Sequence, residues 1–226
     1  MFWDNVAWIY DVFANVVNRK ADKALCAAVE ELISPSDDVL ECACGTGLLT
    51  GVIAPCCKSL TATDFSAKML KRAEKKYGKY GNIRFEQANI LKLSYSDESF
   101  DTVIAANVIH LLDEPYQALH ELERVCKFDG IIIVPTYMNK TDKGKTNGVS
   151  DVIGKVGADF KREFTLNTYK QFFSDDGYKN AEFVMCEGRI PCAIAILRKT
   201  KRVKAYENQS IGNGYCGGHR SRLRLL

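Results

Sequence analysis

ECACGTG, residues 41–47, packs an acid, two cysteines and two glycines into seven positions. It follows a predicted strand at 38–42 and precedes a predicted helix at 48–54. The small residues Ala43, Gly45 and Gly47 carry almost no side chain, so a ligand can approach the backbone closely. On its own the stretch leaves three interpretations open: a Cys-x-Cys metal or redox site, a nucleotide-binding turn, or a tight bend with no ligand. The rest of the chain has to decide between them.

Composition favours a single globular domain in the cytoplasm. The chain has 226 residues, of which 46% are hydrophobic and 26% charged, enough to bury the core of one α/β domain. No run of about 18 apolar residues that could span a membrane occurs. The first residues contain Asp4 and Asp11 where a signal peptide would carry positive charge. The sequence therefore predicts a cytoplasmic protein without a membrane span.

The cysteines do not form a recognisable metal or disulfide pattern. There are nine, an odd number, at irregular spacing, whereas a secreted disulfide framework has an even, patterned set. Neither the Cys-x-Cys at 42–44 nor the pair at 56–57 has the Cys-x-x-Cys spacing of zinc sites, and the three histidines lie far away in sequence. We expect reduced thiols and no metal.

Charge is distributed unevenly along the chain. From Arg198 to Leu226 there are eight basic residues against Glu207, a formal charge of +7, which leaves −4 for the remainder of a chain of net charge +3. This predicts a folded body followed by a poorly ordered basic tail over 200–226. The tail could contact nucleic acid, anionic lipid or an acidic partner, or it could be a solvated extension with no role.

Strand and helix patterns alternate over most of the length, which is typical of parallel βαβ units. Strands are predicted at 38–42, 60–63, 82–87, 100–108 and 131–135, and helices at 18–33, 48–54, 66–77, 115–126 and 166–176. Two further strand candidates, 181–187 and 192–199, are joined by a short turn and must pair antiparallel. The predicted fold class is α/β: a Rossmann-like doubly wound sheet of mostly parallel strands with an antiparallel C-terminal hairpin.

Two further motifs support a nucleotide-binding turn. The second strand ends in TATDF, 61–65, which puts Asp64 beside the glycine turn, where its carboxylate can bind both hydroxyls of a ribose. After the third strand, Asn89 could pair with an adenine edge, while Phe65 and Ile90 could cover the two faces of the ring. The glycine spacing fits a dinucleotide poorly, because the third glycine of G-x-G-x-x-G would fall on Thr50 or Leu48.

At this point the sequence resembles a known family. VLECACGTG, TATDFSAKML, LSYSDESFDTVIAANVIHLL and the final hairpin together resemble the class I S-adenosylmethionine-dependent methyltransferases, over about residues 5–199. The likeness is to the small-molecule branch that contains the ubiquinone and menaquinone biosynthesis C-methyltransferases. It implies a methyltransferase domain over 1–199, with an N-terminal helical lid over 1–33 and a substrate-side insertion over 136–160.

The resemblance also implies a site, with S-adenosylmethionine as cofactor and S-adenosylhomocysteine as product. Glu41 matches the acid that orders the glycine turn, and Asn107 matches a position whose backbone meets the methionine portion. Ala43 replaces a usual glycine, a change expected to be tolerated if only bulk is limiting, and Asn89 replaces a usual aspartate. The implied cofactor-binding residues are Glu41, Ala43, Gly45, Gly47, Asp64, Phe65, Met69, Asn89, Ile90 and Asn107.

Methyl transfer from a sulfonium is an in-line displacement that depends mainly on alignment. If the acceptor must lose a proton, His110, just after the fourth strand, is the candidate base; otherwise it is a structural histidine. Tyr10, in the aromatic N-terminal segment, is a second candidate catalytic residue. Tyr137, Met138 and 139–160 are expected to form the wall for a small-molecule methyl acceptor.

Two alternatives remain at this level. An NAD(P)-dependent oxidoreductase is disfavoured by the incomplete glycine motif, the closing hairpin and the lack of a suitable Tyr-x-x-x-Lys pair. A methyltransferase-fold protein that only binds the cofactor, or acts on RNA through its basic tail, is the other. Against RNA, 106–109 reads Ala-Asn-Val-Ile, without the Asn/Asp-Pro-Pro-Tyr motif of enzymes that methylate nucleic-acid amino groups.

Overall fold

The computed structural model describes residues 18–138 and 161–199. Tyr10, most of the expected lid, nearly all of the expected insertion and the basic tail lie outside these ranges. Of the helices in the described ranges, none combines the length and apolar character needed to cross a bilayer.

Seven strands form one sheet, and five α-helices are described with it. The strands are β1 Asp38–Cys42, β2 Ser59–Asp64, β3 Ile83–Gln87, β4 Phe100–Ala105, β5 Cys126–Tyr137, β6 Glu182–Cys186 and β7 Cys192–Arg198. The helices are α1 Arg19–Glu30, α2 Thr50–Ile53, α3 Ala67–Tyr77, α4 Pro115–Val125 and α5 Leu166–Asp175, with 3₁₀ turns at Ala54–Cys56 and Ile109–Leu111.

The sheet order is β3-β2-β1-β4-β5-β7-β6. Strands β1 to β5 pair in parallel, and β7 runs antiparallel to both β5 and β6. The predicted fold class is therefore confirmed. The sequence did not predict the position of β7, which lies between β5 and β6 rather than at the edge.

Alternate strand residues supply two cores, one on each face of the sheet. Leu40, Val103 and Ile132 belong to a buried cluster that includes residues of α4 and α5. Their neighbours Val39, Ile104 and Ile133 belong to a second cluster, which includes residues of α1, α2 and α3. Both faces are covered, so strands β1, β2 and β4 are buried at nearly every position, as a doubly wound parallel sheet requires.

Local signals explain where the helices near the site begin. The Ser66 hydroxyl accepts a hydrogen bond from the Met69 amide (3.2 Å) and caps α3. Thr165 and Thr168 form a reciprocal capping box at the start of α5. Met69 of α3 and Phe172 of α5 are both buried.

Two boundaries differ from the prediction. Strand β4 ends at Ala105 instead of 108, because the backbone turns at Asn107, whose φ is +52°. Residues 127–130, KFDG, which separate the predicted helix 115–126 from the predicted strand 131–135, belong to β5: Cys126 lies opposite Phe100 and Ile131 opposite Thr102, with a register shift between them. Backbone bonds to Lys199 (2.8 and 3.1 Å) hold this irregular stretch to the end of β7.

Candidate active site

A cavity of about 320 Å³ opens at the carboxyl ends of β1, β2 and β4. It lies where the order of the parallel strands reverses, between β1 and β4, the usual ligand position in an open α/β sheet. Its wall includes eight of the ten cofactor-binding residues expected from sequence: Ala43, Gly45, Asp64, Phe65, Met69, Asn89, Ile90 and Asn107. The structure therefore brings together residues from four separate segments of the chain.

The turn after β1 is held in a left-handed conformation. Ala43, Gly45 and Gly47 have φ values of +54°, +57° and +90°. A Cβ placed on Gly45 would meet no heavy atom within 4 Å. Since Gly45 lines the cavity, this open space is available to a ligand, and a side chain there would fill it.

Gly47 has a different reason to be small. A Cβ on Gly47 would lie 2.7 Å from the Tyr77 ring, and a Cβ on Gly51 would lie 2.5 Å from it. The ring of Tyr77, at the end of α3, thus packs directly against the backbone of the two glycines. Gly47 does not belong to the cavity wall in the described structure, and its small size serves the packing of α3 against the turn.

Asp64 links the glycine turn to α3. Its Oδ2 accepts a hydrogen bond from the Gly45 amide and its Oδ1 accepts one from the Ser66 amide, both at 2.8 Å. A carboxylate oxygen can accept more than one hydrogen bond, so these bonds orient the group without exhausting its capacity. The carboxylate at the cavity wall suits a pair of ribose hydroxyls.

The cavity wall also has an aromatic and an aliphatic surface. The Phe65 side chain is 52% exposed, an unusual state for a large apolar residue, while Ile90 is buried in the wall. Asn89 Oδ1 accepts a hydrogen bond from the Leu91 amide (3.0 Å), which fixes which end of the side-chain amide is oxygen. The oxygen keeps a second lone pair that can accept from an exocyclic amine.

Glu41 lies beneath the turn and does not line the cavity. It is 2% exposed, and its Oε2 accepts a hydrogen bond from the Thr50 hydroxyl (2.6 Å). Burial raises the pKa of Glu41 to about 8. Thr50, from α2, is a partner that the sequence motifs did not indicate, because a threonine nine residues along the chain carries no distinctive signal.

Asn107 connects two strands at the cavity. Its Oδ1 accepts a hydrogen bond from the Tyr137 amide (3.1 Å), and its own amide donates to the Pro135 carbonyl (2.8 Å). The sequence predicted only a backbone role toward the methionine portion. The side-chain bridge from the β4 loop to β5 was missed, because it depends on a partner 30 residues away.

His110, the candidate base, is not part of the cavity wall described here. Its side chain is buried in the 3₁₀ turn Ile109–Leu111, and burial lowers the pKa of the imidazole to about 4. Its carbonyl accepts a hydrogen bond from the Arg162 amide (3.1 Å). The neutral imidazole is the form that accepts a proton, but the structure does not place it at the cavity, so the general-base role stays a prediction.

The two residues expected at the acceptor wall also point elsewhere. The Tyr137 hydroxyl donates to Asp22 Oδ1 of α1 (2.6 Å), and Met138 packs in the core beside α5. Neither lines the described cavity.

The thiols of the opening motif are buried. Cys42 is 1% and Cys44 6% exposed, and burial raises the pKa of Cys42 to about 12 and that of Cys44 well above its usual value. Within 18–138 and 161–199, no group of three or more metal-ligating side chains comes together. The motif contributes small residues and a buried acid to the site, not sulfur chemistry.

Comparison with known proteins agrees with this geometry. Residues 40–134 match the family model described as a methyltransferase domain. Two relatives are the phosphatidylethanolamine N-methyltransferase of Cereibacter sphaeroides, 31% identical over 59% of this chain and 64% of that protein, and the ubiquinone/menaquinone biosynthesis C-methyltransferase of Bdellovibrio bacteriovorus, 39% identical over 43% of each. The chain thus spans less than two thirds of the length of these two relatives.

Among solved structures, an S-adenosylmethionine-dependent methyltransferase from Thermotoga maritima shares the fold, with a TM-score of 0.66 at 19% identity over 87% of this chain and 99% of that chain. Residues 40–134 are thus similar to a methyltransferase domain, and the described residues share the fold of this solved structure.

Proposed function

We propose that this protein transfers the methyl group of S-adenosylmethionine to a small-molecule acceptor by in-line displacement, with S-adenosylhomocysteine as the second product. The observation that carries the proposal is the pairing of Asp64 with the Gly45 turn at the cavity wall. It presents a carboxylate beside an open glycine face, at the switch point of the sheet.

The ribose is proposed to lie against Asp64 and Gly45. The carboxylate oxygens, oriented by the Gly45 and Ser66 amides, accept from the two hydroxyls. The side of Gly45 that lacks a Cβ lets the sugar approach the turn. Asp64 thus fixes both the ligand and the loop that receives it.

The adenine is proposed to lie between Phe65 and Ile90. The half-exposed ring of Phe65 would be covered by the base, which removes apolar surface from water. Asn89 Oδ1 then accepts from the exocyclic amine.

The methionine portion is proposed to extend toward Ala43 and Asn107, two of the three remaining expected residues of the wall. Glu41 supports this end from below through Thr50. When bound, the cofactor supplies an electrophilic methyl group on a sulfonium. Among the described residues of the wall, Asp64 is the only ionisable one, so this part of the protein contributes binding and alignment, not proton transfer.

The acceptor is proposed to be a small molecule that enters beside Val108, Leu111 and Leu112, the apolar part of the wall. The two relatives are named for transfer to nitrogen and to carbon, so their names do not select the acceptor atom. The first name gives a lipid, phosphatidylethanolamine, as the acceptor of that relative, and a lipidic acceptor would fit an apolar entry here.

Titration calorimetry tests the cofactor site. We expect S-adenosylmethionine and S-adenosylhomocysteine to bind, and Asp64→Ala to weaken binding by about 100-fold, since it removes two charge-assisted hydrogen bonds. Asp175→Ala, an exposed carboxylate on α5 outside the cavity wall, is the matched control and should bind normally. Melting curves of both variants separate lost binding from lost folding. Tight binding of NAD with no response to either sulfur ligand would overturn the proposal.

The acceptor class needs a separate measurement. Cell extract is incubated with the protein and methyl-labelled S-adenosylmethionine, then separated into small-molecule, protein and RNA fractions. Label in the small-molecule fraction, absent with Asp64→Ala, supports the proposal. Label confined to RNA or protein would refute a small-molecule acceptor.

A further inference from the structure

We propose that three side chains on α4, Gln117, Glu121 and Arg124, are positioning residues that hold the adenine wall in place and so set selectivity for the adenine base. The inference rests on the proposed function, because it concerns the same cavity. None of the three lines the cavity, and no motif singled them out.

The three residues form one stripe on the helix. Their spacing of four and then three residues puts them on the same face of α4. That face meets the segment between β3 and β4, whose residues Asn89, Ile90 and Leu91 belong to the cavity wall. The stripe therefore lies directly behind the wall that is proposed to receive adenine.

Each residue of the stripe bonds to the backbone of that segment. Gln117 Nε2 donates to the Leu91 carbonyl (2.8 Å), and Glu121 Oε2 accepts from the Leu93 amide (2.7 Å). Arg124 donates through Nη2 to the Leu93 carbonyl (2.9 Å) and through Nη1 to the Tyr95 carbonyl (2.7 Å). Side chains thus satisfy backbone groups that a neighbouring strand would satisfy inside a sheet.

Glu121 and Arg124 also fix each other. Arg124 Nε lies 2.8 Å from Glu121 Oε1, and Nη2 lies 2.9 Å from Oε2, a bidentate geometry that restricts both side chains. The bonds from Arg124 lower the pKa of Glu121 and keep it ionised. Together, the two side chains hold both the amide and the carbonyl of Leu93.

The far end of the segment has its own anchors. The Tyr95 hydroxyl donates to Glu86 Oε2 (2.6 Å), and its ring packs edge-on against Phe100 at 5.2 Å. Loss of the α4 contacts should therefore loosen residues 89–93 while the chain around Tyr95 stays in place. This makes a local effect on the adenine wall separable from general unfolding.

Selectivity between two ligands tests the inference. The probes are S-adenosylhomocysteine and S-inosylhomocysteine, which differ at the exocyclic group that Asn89 is proposed to bind. We expect Glu121→Ala to weaken binding of S-adenosylhomocysteine about tenfold, while S-inosylhomocysteine changes less than about twofold, so selectivity falls. Glu121→Gln keeps an acceptor for the Leu93 amide and should recover most of the selectivity.

Gln117→Ala provides an independent test at an exposed residue with one contact to the segment. We expect a loss of selectivity of about threefold. Gln171→Ala makes the same exchange on α5, away from the wall, and should change nothing. If Glu121→Ala does not fold, Gln117→Ala decides. Equal weakening of both ligands, or unchanged selectivity in a folded variant, would overturn the inference. Failure of the unmodified protein to bind S-adenosylhomocysteine would instead refute the proposed function.

Discussion

Ala43 occupies a backbone conformation, φ +54°, that a residue with a β-carbon adopts at a cost of roughly 1–2 kcal/mol. From sequence, alanine in place of glycine looked tolerable if bulk alone was limiting. The structure shows that the backbone angle is limiting too. The hydrogen bond between Asp64 and Gly45, two residues on, helps to hold the turn in this strained form.

Replacing Ala43 with glycine should therefore stabilise the protein. Relief of the left-handed strain exceeds the extra flexibility that glycine gives the unfolded chain, so we expect the free energy of unfolding to rise by about 0.5–1 kcal/mol. Urea denaturation measures it. Ala67→Gly, an exposed exchange at the start of α3, should destabilise by up to about 1 kcal/mol. Equal destabilisation by both would show that Ala43 is unstrained.

Glu41 should make stability depend on pH. Its pKa is about 8 in the folded protein against a usual 4.5, so the folded state binds this proton more tightly than the unfolded state does. The associated stabilisation is complete below about pH 4.5 and is lost as pH rises toward 8, with a slope of at most about 1.4 kcal/mol per pH unit.

Glu41→Gln removes this proton while an amide oxygen can still accept from Thr50. Between pH 5 and 8 we expect the free energy of unfolding of Glu41→Gln to fall less than that of the unchanged protein. At pH 8 we expect the variant to have the larger free energy of unfolding. Denaturation series at four pH values test this, with Glu74→Gln on the exposed face of α3 as control. Parallel curves for Glu41→Gln and the parent would contradict the assignment.

At the scale of elements, the sequence predicted those helices, strands and turns whose signals lie in residues close together along the chain. The helices at 66–77 and 166–176 were indicated by their apolar faces, and the structure has them as Ala67–Tyr77 and Leu166–Asp175. The parallel strands were indicated by their apolar runs. The turn after β1 was recognisable because its small residues are adjacent in the chain.

Contacts between distant elements were not predictable in this way. Three such contacts join positions about 30 residues apart. They are the packing of the Tyr77 ring against Gly47 and Gly51, the hydrogen bond from the Asn107 loop to β5, and the hydrogen bonds from α4 to residues 91–95. The side chains involved are common types at unremarkable spacing. Only the packing of helices on the sheet brings them together, so the cavity wall was predicted and its supports were not.

At the scale of the whole molecule, Lys199, the last residue that the structure describes, is tied to β5. Its amide donates to the Gly130 carbonyl (3.1 Å) and its Nζ to the Cys126 carbonyl (2.7 Å), which fixes the end of β7 to the start of β5. These contacts and the residues of the cavity wall all lie before residue 200.

We therefore expect a chain ending at Lys199 to bind S-adenosylhomocysteine with an affinity within about twofold of the full chain's, measured by calorimetry. A chain ending at Glu187 lacks β7 and should fail to fold, because β5 and β6 lose their partner. Loss of cofactor binding on removal of 200–226 alone would show that the basic tail contributes to the site.

The position of β7 has a consequence for synthesis. A nascent chain emerges from the ribosome in order, so β1 to β4 and their helices can assemble while later residues are still unmade. Strand β6 emerges before β7, its neighbour in the described sheet, and β5 gains its second neighbour there only when residues 192–198 appear. Until then β5 and β6 lack the strand that lies between them, and unpaired strand edges are open to aggregation, so we expect the insertion of β7 to be a late step in folding.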